Sequence, residues 1–138
     1  MGSSGQSGMT ILEVLVVLAV IAMLAAVVGP RLIGYLGRAK TDTAELQIKQ
    51  IGNALQLFYI DVGRYPRAAE GLAVLMQSPP AEAAWDGPYL ESADALSDPW
   101  GRDYLYDPPE TGDRFNIRSL GRDGSQGGTG EDGDLSLR

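Results

Sequence analysis

The chain has 138 residues, a formal charge of −7, and neither cysteine nor histidine. The acidity argues against a nucleic-acid surface, which would be basic. The two missing residue types exclude disulfide staples, thiol nucleophiles, Cys/His zinc sites and Ser-His-Asp triads. Only carboxylates, lysine and tyrosine remain for catalysis, and no constellation of them suggests an enzyme.

Residues 9–28 form an apolar run in which Glu13 is the single charge. As a helix, a run of this length rises about 30 Å, the thickness of a bilayer's hydrocarbon core. A carboxylate inside hydrocarbon is costly unless a cation meets it there. A secretory signal peptide would have a basic start, a shorter uncharged core and a small-residue cleavage site at its far end. A plain membrane anchor suits the length but has no need of Glu13. Gly8-Met9-Thr10-Ile11-Leu12-Glu13 resembles the processing site of type IV pilins and type II secretion pseudopilins. The resemblance implies that a prepilin peptidase cuts between Gly8 and Met9 and that the new amine of Met9 is methylated. It further implies that Glu13 pairs with the amine of a neighbouring subunit. On this reading residues 1–8 are a leader, 9–29 a transmembrane or filament-core segment, and 30–138 the folded body.

Pro30 follows Gly29, and the helical pattern continues beyond it. Proline removes a backbone donor and crowds the preceding turn, so a kink or local melting is expected here. Arg31, Arg38 and Lys40 are the first basic residues of the chain. Positive-inside logic alone would place them in the cytoplasm, whereas the pilin resemblance implies that the body lies on the other side. Thr41 to Val62 reads as an amphipathic helix. Ala44, Ile48, Ile51, Leu55, Phe58 and Val62 recur in steps of three and four, and Ala54, Leu57 and Ile60 are expected to widen that stripe. Gly63 suits a C-cap, and Pro66 forbids continuation.

Glu70–Leu75 resembles a stretch that forms a short helix in type II secretion pseudopilins, which implies that Leu72, Leu75 and Met76 are its buried side. Ser78–Pro88 is loop by composition, anchored by Trp85 and Tyr89. Asp98-Pro99-Trp100-Gly101 reads as a turn, and its resemblance to a motif of the same family implies that the first strand of a small antiparallel sheet follows it, at Tyr104–Tyr106. Arg114–Ser119 alternates, with Phe115 and Ile117 on one face, as a half-buried strand does. Pro108–Asp113 is then a hairpin loop.

Residues 119–135 intersperse carboxylates with glycines. Calcium takes six to eight oxygens at about 2.3–2.6 Å, some from carbonyls, and glycine permits the sharp turns that present them. The residues alone suit a solvated tail equally well, and they do not match EF-hand spacing. The stretches Asp61–Pro66, Glu70–Leu75 and Asp98–Gly101 resemble corresponding parts of the major pseudopilin of type II secretion. That family carries calcium in this same loop. The resemblance implies Asp123, Asp132 and Asp134 as side-chain ligands, with the carbonyls of Leu120 and Ser125 as partners. It leaves open which of Asp132 and Asp134 binds directly.

The resemblance therefore implies an α+β lollipop, with a long N-terminal helix packed on a small antiparallel sheet. The implied protein is a structural subunit of an inner-membrane system, single-pass, with a periplasmic C-terminal body. Its implied partners are further copies in a helical homo-polymer, minor pseudopilins, a prepilin peptidase and an inner-membrane assembly platform. A type IV pilus subunit and a membrane-anchored ligand-binding module are the alternatives. Many pilus subunits carry a C-terminal cysteine pair, which this chain lacks.

Overall fold

A computed structural model describes residues 8–111 and 114–137. The leader residues 1–7 and the tip of the expected hairpin loop, residues 112–113, lie outside this description. The chain divides into two compact units, Met1–Leu36 and Gly37–Arg138.

The first unit is the N-terminal part of helix α1 (Ile11–Val62). Among the described residues α1 is the one helix long and apolar enough to cross a membrane. Its large side chains are open within the unit, Met23 at 75 % and Leu24 at 61 % exposure. Apolar surface on that scale needs lipid or protein around it, since water is a poor solvent for it. The local melting allowed for at Pro30 does not occur, since α1 runs through it as one helix. A proline removes one backbone donor, and the helical ladder continues on both sides of it.

The second unit is built on the remainder of α1. Ala44, Ile48, Ile51, Leu55 and Phe58 are fully or almost fully buried, as their spacing predicts, and Ala54 joins them. Leu57 and Ile60 depart from expectation, at 51 % and 72 % exposure. They sit on the flank of the helix turned away from the sheet, so the true stripe is narrower than apolarity alone suggests. Gly63, at φ 76°, closes α1 by donating its N–H to the carbonyl of Tyr59 at 2.8 Å. A side chain is disfavoured at that φ, which makes glycine the natural residue there.

A 3-10 turn at Leu72–Leu75 packs Leu72 and Leu75 into the core as expected, with Met76 half-buried against it and Val74 buried as well. The following loop is anchored as predicted. The Trp85 indole donates to the Val74 carbonyl at 2.8 Å, and the Tyr89 hydroxyl donates to Asp61 at 2.8 Å. A second 3-10 turn, Ala93–Leu96, is capped by Ser92. Three short antiparallel strands follow, β1 (Leu105–Asp107), β2 (Asn116–Ser119) and β3 (Leu135–Leu137), in the order β1-β2-β3. Ile117 is paired with both Tyr106 and Leu137, and its side chain is fully buried in the core. Gly52 gives β3 its seat, because a Cβ there would lie 2.5 Å from Leu137 Cδ2.

The sequence reading did not anticipate β3, a strand of three residues, too short to carry a clear alternation. It changes the meaning of the segment before it. Ser119 pairs with Leu135, so the acidic glycine stretch is the connection between two paired strands.

Candidate functional site

Two regions hold the expected functional residues, one in each unit. At the N-terminus, Gly8 and Met9 precede α1 and are exposed. A Cβ on Gly8 would meet nothing within 4 Å, and the position is not one of positive φ. The described fold therefore has no need of glycine there. Thr10 and Glu13 form a reciprocal cap. The Thr10 backbone N–H donates to Glu13 Oε2 at 3.0 Å, and the Glu13 N–H donates to Thr10 Oγ1 at 3.2 Å. This capping box satisfies two donors that the first turn of a helix otherwise leaves open. It also gives the Glu13 carboxylate a partner within its own chain. The sequence reading missed this role, although Thr-x-x-Glu before an apolar run is its signature.

The C-terminal region starts from the Asp98 turn. Asp98 is 5 % exposed, and its Oδ1 accepts the N–H groups of Trp100 and Arg102 at 3.1 and 2.9 Å. Its Oδ2 accepts the hydroxyl of Ser119, the last residue of β2, at 2.7 Å. A buried carboxylate needs such partners to be tolerated. The turn thereby fixes Arg102, whose guanidinium donates to the carbonyls of Gly121 and Arg122 at 2.6 and 2.7 Å. Those two carbonyls are thus already engaged by a cation.

Beyond them the chain folds back on itself. Gly121, at φ 65°, lies so close to the 3-10 turn Gly130–Asp132 that a Cβ would come within 2.8 Å of the carbonyls of Glu131 and Gly133. Gly128 likewise abuts the backbone of Asp132. Asp123 Oδ1 accepts the Ser125 N–H at 2.9 Å, closing a local turn, and Asp134 Oδ2 accepts the Gly127 N–H at 3.0 Å across the loop. Leu120 is half-buried and Ser125 exposed.

Asp132 is held differently. Arg122 donates from Nε to Asp132 Oδ1 and from Nη2 to Oδ2, both at 2.8 Å, a two-pronged pair. Its Nη1 reaches Glu131 Oε2 at 3.2 Å. The hydrogen bonds from Arg122 hold the Asp132 carboxyl below the usual carboxylate range. Glu131 in turn accepts the Trp100 indole N–H at 3.0 Å and lies against Gly37 of α1, where a Cβ would be 2.6 Å from Oε2.

Asp123, Asp132 and Asp134 are hard oxygen donors on a glycine-rich loop, which is the donor chemistry calcium requires. Among the described residues, however, no three acidic side chains converge closely enough to hold a metal ion. The positive charge that meets Asp132 is Arg122. Sequence reading missed Arg122, Arg102, Trp100 and Glu131 as parts of this site. One signal was available, since Arg122 is the sole basic residue in the segment 119–137.

Comparison with known proteins bears on both regions. Residues 31–138 match the family described as "Type II secretion system (T2SS), protein G", and residues 3–29 match the "Prokaryotic N-terminal methylation motif". A protein of Pseudomonas aeruginosa named "Type II secretion system core protein G" is 38 % identical over 116 residues, covering 80 % of this chain and 80 % of its own length. Its namesake in Xanthomonas campestris pv. campestris is 34 % identical over 112 residues, covering 81 % and 76 %. Among solved structures, the major pseudopilin from the type 2 secretion system of enterohaemorrhagic Escherichia coli superposes with a TM-score of 0.57 at 28 % identity. That likeness covers 78 % of this chain and 93 % of the other.

Proposed function

Since this chain belongs to the type II secretion system protein G family, we propose that it is the repeating structural subunit of a periplasmic pseudopilus. The observation that carries the reading is the order of two matches along one chain. A methylation motif covers the apolar stem, and the family body follows directly from residue 31. The subunit works by assembly. It waits in the inner membrane as a single-pass protein with its body in the periplasm. A prepilin peptidase removes residues 1–8, and the Met9 amine is methylated.

Extraction into the filament replaces lipid around residues 9–28 with the stems of other copies. The energetic logic follows from Glu13. In hydrocarbon its carboxylate has only the Thr10 cap, whereas in a bundle of stems it meets the Met9 amine of a neighbour. A paired charge is far cheaper to bury than a single one, so Glu13 sets the register of the growing polymer. Growth from an inner-membrane assembly platform, with minor pseudopilins as partners, would push folded substrates towards an outer-membrane channel. The freedom of the fold from any need for glycine at position 8 supports an external reader of that residue, as a peptidase would be.

We propose further that calcium binds the 120–134 loop through Asp123 and one or both of Asp132 and Asp134, with the carbonyls of Leu120 and Ser125. Bound there, the metal would tie the two sides of the β2–β3 connection together. Arg102 and the Asp98 turn position the loop's backbone from below, and Gly121 and Gly128 allow its two sides to approach.

Processing and assembly are tested together. Co-expression with a prepilin peptidase should shorten the chain by residues 1–8 as read by mass, and Gly8→Ala should block the cut. In a strain with the full secretion apparatus, Glu13→Leu should abolish filaments by electron microscopy and stop export. An uncut chain, or filaments that persist in Glu13→Leu, would overturn the proposal. For the metal, calcium added to the full chain in detergent should raise its melting temperature, and Asp123→Ala should remove the rise.

A further inference from the structure

A cleft lined by cations lies where α1 ends. Tyr59, Arg64, Tyr65, Arg67, Pro108 and Pro109 line it, and no carboxylate among the described residues does, in a chain of formal charge −7. Its wall is aromatic. The Tyr59 ring stacks on Tyr65 with centroids 4.7 Å apart and stays 38 % exposed, and Tyr65 leans on Phe115 at 5.2 Å. The two cations differ in what already holds them. Arg64 forks onto Glu70 at 2.7 and 2.9 Å and reaches Glu82 at 3.1 Å. Arg67 meets Glu70 through its backbone N–H, at 2.7 Å, and through its charge at longer range. The Arg67 guanidinium itself is exposed and in no ion pair or hydrogen bond among the described residues.

The complementary chemistry lies further back on the same helix. Asp42, Glu45 and Leu46 stand at i, i+3 and i+4 and share one exposed face of α1. Leu46 is 60 % exposed. Neither carboxylate has a hydrogen bond or ion pair among the described residues, and Lys49, one turn on, pairs with neither. By the rise per residue, the two patches are about 22 Å apart along one continuous helix, so they cannot meet within a chain. We propose that Asp42, Glu45 and Leu46 of a second copy dock in this cleft, with a carboxylate on Arg67 and the leucine over the Tyr59 ring. The inference rests on the polymer reading above and names one of its contacts.

The placement of the patches suits a second copy. They are different surfaces of one molecule, so the contact is head-to-tail. Such a contact repeats from copy to copy without closing on itself, which is what a filament needs. Opposite charge fixes the register, and the leucine on the ring buries two apolar surfaces that the single chain leaves open. The spacing along α1 staggers the copies and does not set them level.

The chain has no cysteine of its own, so paired cysteines report the contact directly. In a strain with the full secretion apparatus, Glu45→Cys combined with Arg67→Cys should give an oxidant-dependent ladder of cross-linked multimers on non-reducing gels. Each single variant should stay monomeric. A second arm swaps the charges. Arg67→Glu should lower the filament yield about threefold or more at an unchanged melting temperature, and adding Asp42→Lys and Glu45→Lys should restore it. Full yield in Arg67→Glu, or a swap that restores nothing, would overturn the contact and leave the subunit reading standing. So would filaments of the paired variant that give no ladder, or Arg67→Cys cross-linked to itself or to another protein. No filaments from the wild-type chain would overturn the reading on which the contact rests.

Discussion

Glu13 serves two roles with one carboxylate, and they belong to different stages. Within the single chain it caps α1 through Thr10, and on the proposed pathway it later meets another copy's amine. Thr10→Ala should remove half of the capping box and cost about 0.5–2 kcal/mol of local helix stability, read as faster amide exchange in the first turn of α1 in micelles. Assembly should survive, because the carboxylate remains. Two other acids carry a pH signature. The hydrogen bond from Arg64 lowers the pKa of Glu70, and the Arg122 pair lowers that of Asp132. A carboxyl whose folded pKa is depressed stabilises the fold above its unfolded value, near 4, and loses that contribution as pH falls through the folded value. Melting temperature measured against pH should therefore be flat from neutrality to about 5 and fall below about 4. Glu70→Gln should flatten part of that fall.

Among the elements, α1 does most to organise the body. Its stripe from Ala44 to Phe58 follows helical periodicity and is buried as a set, so Leu55→Ala should cost about 2–5 kcal/mol, measured by thermal melting of the detergent-solubilised chain. Two glycines separate tolerance from strain. An alanine at Gly52 would press on Leu137 Cδ2, the end of a flexible side chain, whereas one at Gly121 would strike two backbone carbonyls at a positive φ. Gly121→Ala should thus destabilise more than Gly52→Ala, by more than about 1 kcal/mol in the same melts. The helix stripe, the C-cap, the loop anchors and β2 were all legible in the sequence, because each rests on local spacing or on a breaker residue. The local melting expected at Pro30 was over-read. Proline's preference is a local cost, and a long helix absorbs it. Leu57 and Ile60 were over-read for a related reason, since apolarity does not say which flank of a helix the sheet covers.

At the scale of the whole molecule, β3 ties the chain's end to its centre. It pairs with β2, rests on Gly52 of α1, and turns the acidic stretch into a closed connection. Truncation before Leu135 should lower the melting temperature and also abolish any calcium-dependent rise, because the loop would lose one of its two posts. The exposed stem of the first unit is the counterpart at the other end. Its large side chains are open within that unit, and on the proposed pathway membrane and then polymer cover them.

By itself the sequence determined the membrane-length stem, the single acid within it, the amphipathic half of α1 and the donor types of the terminal loop. These are properties of residue type and spacing, which physics reads one segment at a time. Only the tertiary structure decided that Leu135–Leu137 is a strand, that Glu131 reaches Trp100 and Gly37, and that Arg122 closes on Asp132. Each of those depends on residues distant in the chain being brought within a few ångströms, and no local pattern encodes which distant group will arrive.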